Sequence, residues 1–161
     1  MGKKITSILL SLIILTGLNL TAFASNNGEN QEAIQTIEYF EDGSSLEIIF
    51  REEPVLTRSN VFNAYGTKTL IFRDNDGNIA WEVDFKATFS VNRGVSATCT
   101  AASFESPRIY DSNWRYITNT TSKNGNKASG TITMKKYFLG LPIRTETPTV
   151  TITCDNNGTL T

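Results

Sequence analysis

The chain has no histidine among its 161 residues. That absence excludes Ser-His-Asp and Cys-His nucleophilic catalysis and every histidine-ligated zinc site. Cysteine occurs only at Cys99 and Cys154, neither of them in a CxxC pair, so a thiolate metal site lacks ligands as well. No dense cluster of Lys and Arg alternates with aromatics, and the formal net charge is −1, which speaks against a nucleic-acid surface. No segment beyond the first 24 residues carries a helical apolar period. No cofactor-binding motif is present either.

The one long apolar run is Ile5 to Leu20. It follows a short basic start, Met1-Gly2-Lys3-Lys4, and precedes Ala22-Phe23-Ala24, the small-x-small pattern of a signal-peptidase site. Thr6, Ser7, Ser11, Thr16 and Asn19 interrupt the run and no basic stop-transfer cluster follows, so a cleaved signal fits better than a membrane anchor. The sequence thus predicts a secreted, extracellular protein, cleaved after about Ala24, with no membrane association in the mature form. About 137 of the 161 residues then remain, enough for a flexible leader at 25–33 and one domain at 34–161. Charge is uneven along them. Residues 25–53 hold eight acids against Arg51 alone, a net of −7, while residues 54–161 hold eight acids and twelve bases, a net of +4. An acidic leader lying against a basic body, or simple solvation of both, accounts for this more economically than an anionic partner.

The periodicity is that of strands. Ile79, Trp81, Val83, Phe85, Ala87, Phe89 and Val91 fall on one face of a thirteen-residue segment, with Glu82, Asp84 and Lys86 on the other. Trp81 therefore marks a core. Turn signals at Asp42-Gly43, Asp76-Gly77, Asn92-Arg93-Gly94, Asn124-Gly125 and Leu139-Gly140 divide the rest. The expectation is an all-β, mostly antiparallel β-sandwich of about eight strands, Ig-like in architecture though not necessarily in topology. Residues 52–66 read as a long loop or crossover, and Pro148 suits an edge strand or a bulge. Cys99 shares a face with Val95, Ala97 and Ala101, and Cys154 with Val150 and Ile152. Both sulfurs point inward, and in an exported chain this predicts a Cys99–Cys154 disulfide, worth about 4 kcal/mol by loop entropy.

Chemistry must then come from carboxylates. Glu82 and Asp84 lie i, i+2 on one strand face, about 6–7 Å apart, near the spacing of paired-carboxylate glycosidases. Lys86 continues the same row, and nothing forces a cleft there, so no catalytic residue is assigned. Glu52 and Glu53 project in opposite directions. The run Asp74–Asn78 fails the EF-hand register, with glycine fourth and Phe85 twelfth, and no metal site is assigned. Thr145, Thr147, Thr149, Thr151 and Thr153 form a ladder, but an ordered hydroxyl array needs several such strands in register. Trp114, Tyr116, Arg108 and Arg115 are the candidate ligand surface, an aromatic and basic patch for a cell-wall polymer, a carbohydrate or a protein.

The segments YFEDGSSLEIIF, GTKTLIFRDNDGNIAWEVDFKATFSV, SATCTAASF, IYDSNWRY and TVTITCDNNGTLT together resemble a recurrent family of small secreted β proteins of Gram-positive bacteria. The likeness spans nearly the whole mature chain. It implies secretion and a β fold, carries no catalytic residues across, and makes the sequons at Asn119 and Asn157 irrelevant to glycosylation. Three functions follow in order of preference. They are a non-catalytic binding module at or outside the envelope, an accessory protein accepting a peptide or toxin strand along residues 143–154, and a carboxylate-dependent extracellular glycan hydrolase.

Overall fold

The computed structural model describes residues 32–53 and 57–161, so the expected signal peptide and most of the leader lie outside the described residues. All of the regular structure in those residues is β, in two antiparallel sheets. The first sheet is a meander of β1 (Glu32–Tyr39), β2 (Ser45–Glu52), β3 (Val61–Arg73), β4 (Ile79–Asn92) and β5 (Ser96–Phe104), with the short β6 (Arg108–Ile109) also paired to β4. The second holds β7 (Trp114–Asn124), β8 (Lys127–Phe138), β9 (Leu141–Glu146) and β10 (Thr149–Thr153). In it β8 is central, flanked by β7 on one side and by β9 and β10 on the other.

Ten strands among the described residues replace the expected eight, and proline explains the difference. Pro107 separates β5 from β6 and Pro148 separates β9 from β10. In both cases the two pieces lie along the same neighbouring strand, β4 or β8 respectively, so eight lanes remain. Proline supplies no ladder N–H, yet Ile132 N still donates to Pro148 O at 3.2 Å and keeps the lane in register. Two sequence boundaries move. Residues 61–66, expected in a loop, begin β3, because Phe62 and Ala64 pair with Val91 and Phe89 and turn toward the core. Glu32 and Ala33, placed in the leader, belong to β1.

The turns form where glycine permits a left-handed backbone. In the β3–β4 hairpin Gly77 has φ 84°, and Asp74 Oδ1 accepts the amides of Asp76 (3.0 Å) and Asn78 (2.8 Å). At the start of β4, where the pairing with β3 shifts register, Ala80 is buried and Ile79 only half-buried. From Trp81 onward the alternation read along β4 is the burial pattern observed, with Trp81, Val83, Phe85, Ala87, Phe89 and Val91 buried. They join Leu46 and Phe50 of β2, Ala64, Leu70 and Phe72 of β3, and Ile132, Met134, Val150 and Ile152 of the second sheet in one cluster. Gly130 of β8 lies where a side chain would strike Phe85 and Phe104, so the sheets meet there with no room for a Cβ. Lys68 stands on the inward row of β3, extends its amine past the Phe50 ring (5.6 Å) and donates to Thr151 O (2.7 Å).

The expected disulfide is not formed. Cys99 and Cys154 are free and buried, and their sulfurs donate to Ala101 O and Asp155 O, each at 3.3 Å. The strand parity was informative about depth alone. Cys99 N bonds to Gly125 O and Cys154 N to Asn126 O, which sets the β7–β8 turn between the two cysteines. Burial pushes the Cys154 thiol up to about 11 and raises that of Cys99, so both stay protonated and unreactive.

Candidate functional site

The four residues proposed as a ligand surface do not come together. Trp114 opens β7 but is 1% exposed, its ring 5.0 Å from Phe72 and 6.1 Å from Trp81. Tyr116 lies two residues further along the edge strand, beyond the core, where it is exposed and its hydroxyl accepts from Asn119 Nδ2 at 2.9 Å. Arg115 turns back onto the carbonyls of Ser112 and Trp114. Arg108 sits on the other sheet, bridging Glu82 and Asp84. An aromatic sugar platform therefore lacks its tryptophan.

Glu82 and Asp84 do share a face, but every carboxylate there is engaged. Glu82 Oε1 accepts from Tyr110 Oη (2.6 Å) and from Arg108, and Asp84 Oδ1 accepts from Thr69 Oγ1 (2.6 Å). The Tyr110 hydrogen bond, followed by Arg108, outweighs partial burial and holds the Glu82 carboxyl below its usual range. A glycosidase acid needs the opposite shift, so Glu82 is held in its ionised form. A depressed carboxylate contributes stability above its unfolded pKa and loses it as pH falls through the folded value. Glu82→Gln should lower stability slightly at pH 7, and the difference should shrink as pH falls below the unfolded carboxylate range, as read by urea midpoints at each pH. A constant difference across that range would mean the carboxylate charge is irrelevant.

The threonine ladder is broken at Thr147-Pro148, between β9 and β10. It gains partners that its own sequence does not announce. Thr120–Thr131–Thr149 and Ser122–Ser129–Thr151 lie in cross-strand register over β7, β8 and β10. These hydroxyls bond to each other, Thr131 to Thr149 at 2.7 Å and Ser129 to Thr151 at 2.9 Å, and so satisfy much of their own capacity. The edge proposed for strand addition, residues 143–154, is closed at its β10 end. Lys68 occupies Thr151 O, and Thr153 exchanges both backbone bonds with Thr161, at 2.9 Å each. Among the described residues no group of three or more metal-ligating side chains converges.

One surface stands out that was read in the sequence only as a separator. The β8–β9 hairpin carries Phe138, Leu139, Leu141 and Ile143 at 62, 87, 69 and 60% exposure. Leu139 and Gly140 form its two-residue turn with φ of 50° and 82°, the double-positive geometry that favours Asn-Gly. Phe138 pairs with Leu141 on one side of the ladder, and Tyr137 pairs with Pro142 on the other. The signal was legible in KKYFLGLPIR, where a turn normally polar is apolar almost throughout.

Comparison with protein-family models, with curated proteins and with solved structures finds no match for this chain.

Beneath the tip the next residues are charged. Lys136 pairs with Asp111 at 3.3 Å. Arg144 is held by Asp42 and Glu146 and lies over the rings of Phe40 (4.9 Å) and Phe72 (4.8 Å), sealing the aromatic end of the core. Lys135, flanked across the ladder by Arg115 and Thr145, has no carboxylate partner among the described ion pairs, and neither does Arg115. The hairpin is thus an apolar tip above a charged base, where Lys135 and the neighbouring Arg115 of β7 have no carboxylate partner among the described ion pairs.

Proposed function

We propose that this is a secreted, non-catalytic interaction module with a β-sandwich fold, acting at or outside the cell envelope. The observation that carries the reading is the apolar β8–β9 hairpin: a contiguous exposed patch of this kind marks a contact surface. The sandwich reading is supported by the close approach of Gly130 to Phe85 and Phe104 and of Gly66 to Ile152, which put residues of the two sheets in contact. The engaged carboxylates at Glu82 and Asp84 favour binding over hydrolysis. Secretion rests on the signal-like start of the sequence and on the family resemblance.

The test is co-sedimentation with envelope fragments from a Gram-positive cell. The parent should pellet with the fragments, and Phe138→Ser/Leu141→Ser should stay in the supernatant with an unchanged Tm, because both side chains are already in solvent. A parent that remains soluble, or a double variant that pellets equally, removes the reading.

A further inference from the structure

We propose that the β8–β9 hairpin docks the protein onto an anionic lipid bilayer by inserting its tip, Phe138 to Ile143, among the headgroups and the first acyl carbons. The inference rests on the interaction-module reading and names its partner.

Three features single out lipid. The tip is apolar on both faces and at its apex, with Phe138 and Leu141 on one side, Pro142 on the other and Leu139 at the turn. A flat protein surface, or a second copy of this chain laid against one face, would cover only half of it. A fluid bilayer surrounds it. Charge is the second feature. Lys135 and Arg115 lie on the second rung below the tip, past the acid-paired Lys136 and Arg144, with no carboxylate partner among the described ion pairs, at the level where lipid phosphates would meet them. The third is Leu139 itself, a branched apolar side chain held in a left-handed backbone and 87% exposed. Nothing in the fold compensates that choice, whereas an Asn at this place would suit the turn. The apolar stretch is too short to span a bilayer, since a crossing strand takes about 9–11 residues, so the contact is peripheral. No helix among the described residues is long and apolar enough to cross a membrane.

The test places a tryptophan at the tip of the full chain, Leu141→Trp, and adds vesicles of equal parts phosphatidylglycerol and phosphatidylcholine with brominated acyl chains. The introduced indole should shift to the blue and be quenched, while Trp81 and Trp114 of the parent, buried in the core, should not respond. Binding should weaken with salt, on pure phosphatidylcholine, and by about fivefold for each of Lys135→Gln and Arg115→Gln. Leu139→Asn should keep or raise Tm and still lose about tenfold in vesicle affinity. The local quenching separates the hairpin from residues 5–20, which could bring the chain to vesicles by themselves. An unquenched indole on vesicle-bound protein overturns the proposal. So does a concentration-dependent dimer that Leu139→Asn abolishes, since the tip's partner would then be a second copy. If vesicles fail while envelope fragments still bind through Phe138 and Leu141, lipid is the wrong partner and the interaction module stands.

Discussion

Gly130→Val is expected to destabilise the fold by about 3 kcal/mol, seen as a lower urea midpoint at unchanged m-value. Even a single added carbon at Gly130 would lie 2.6 Å from Phe85 and 2.6 Å from Phe104. Those rings are themselves packed 5.0 Å apart, and Phe85 is fully buried in β4. They can yield only by leaving their rotamers or by parting the sheets. Valine's better strand propensity acts in the other direction by up to about 1 kcal/mol and does not overcome the clash. A double-mutant cycle identifies the cause. Phe104→Ala should cost stability alone but less in the Gly130→Val background, because the new methyls fill the vacated space. Additive effects, or a harmless Gly130→Val, would mean that β8 does not press on β4 and β5, and the sandwich reading would fall with it.

The contrast between Gly130 and the long strand β4 shows what the sequence can carry. Along β4 a period of two is a local property, so each residue's face is legible without knowledge of the partner. The same holds for Gly77 and the Asp74 side chain, whose turn is closed within five residues. Contacts between lanes are another matter. Residues 52–66 read as a loop, but Gly66 lies in β3 where an added Cβ would stand 2.9 Å from Leu160 and 3.3 Å from Phe50. Cys99 and Cys154 both face inward, and parity could not say that a turn would stand between them. Of the candidate site, Glu82 and Asp84 were placed on the correct face, while Arg108, which pairs with both, and Tyr110, which donates to Glu82, come from a segment more than twenty residues away. The hairpin at 137–143 was legible as composition, but its exposure depends on the strands beside it. β9 and β10 break at Pro148, and the tip projects beyond the shared core.

Trp114 separates a structural role from a binding role most sharply. Trp114→Ala is expected to cost about 3–5 kcal/mol, because it removes a fully buried ring from a cluster of Phe72 and Trp81 that cannot collapse around the gap. Phe72 and Trp81 are stacked 5.5 Å apart at 8°, and Trp114 meets Trp81 edge-on at 66°, so the hole would open in the middle of an ordered aromatic group. Trp114→Phe should cost much less. The indole N–H of Trp114 is buried without a hydrogen-bond partner, a penalty of about 1–3 kcal/mol that phenylalanine does not carry. The size of the gap between the two variants therefore measures packing, not indole chemistry. A ligand-binding tryptophan predicts the reverse: Ala and Phe alike would leave the urea midpoint near the parent's, and acrylamide would quench the native emission. Tyr116, two residues on along the same strand, supplies the internal contrast, since its ring is exposed and Tyr116→Ala should move the midpoint little. If Trp114→Ala proves as mild as Tyr116→Ala, the core drawn at this end of the sheets is wrong, and the aromatic surface read from the sequence returns as the site.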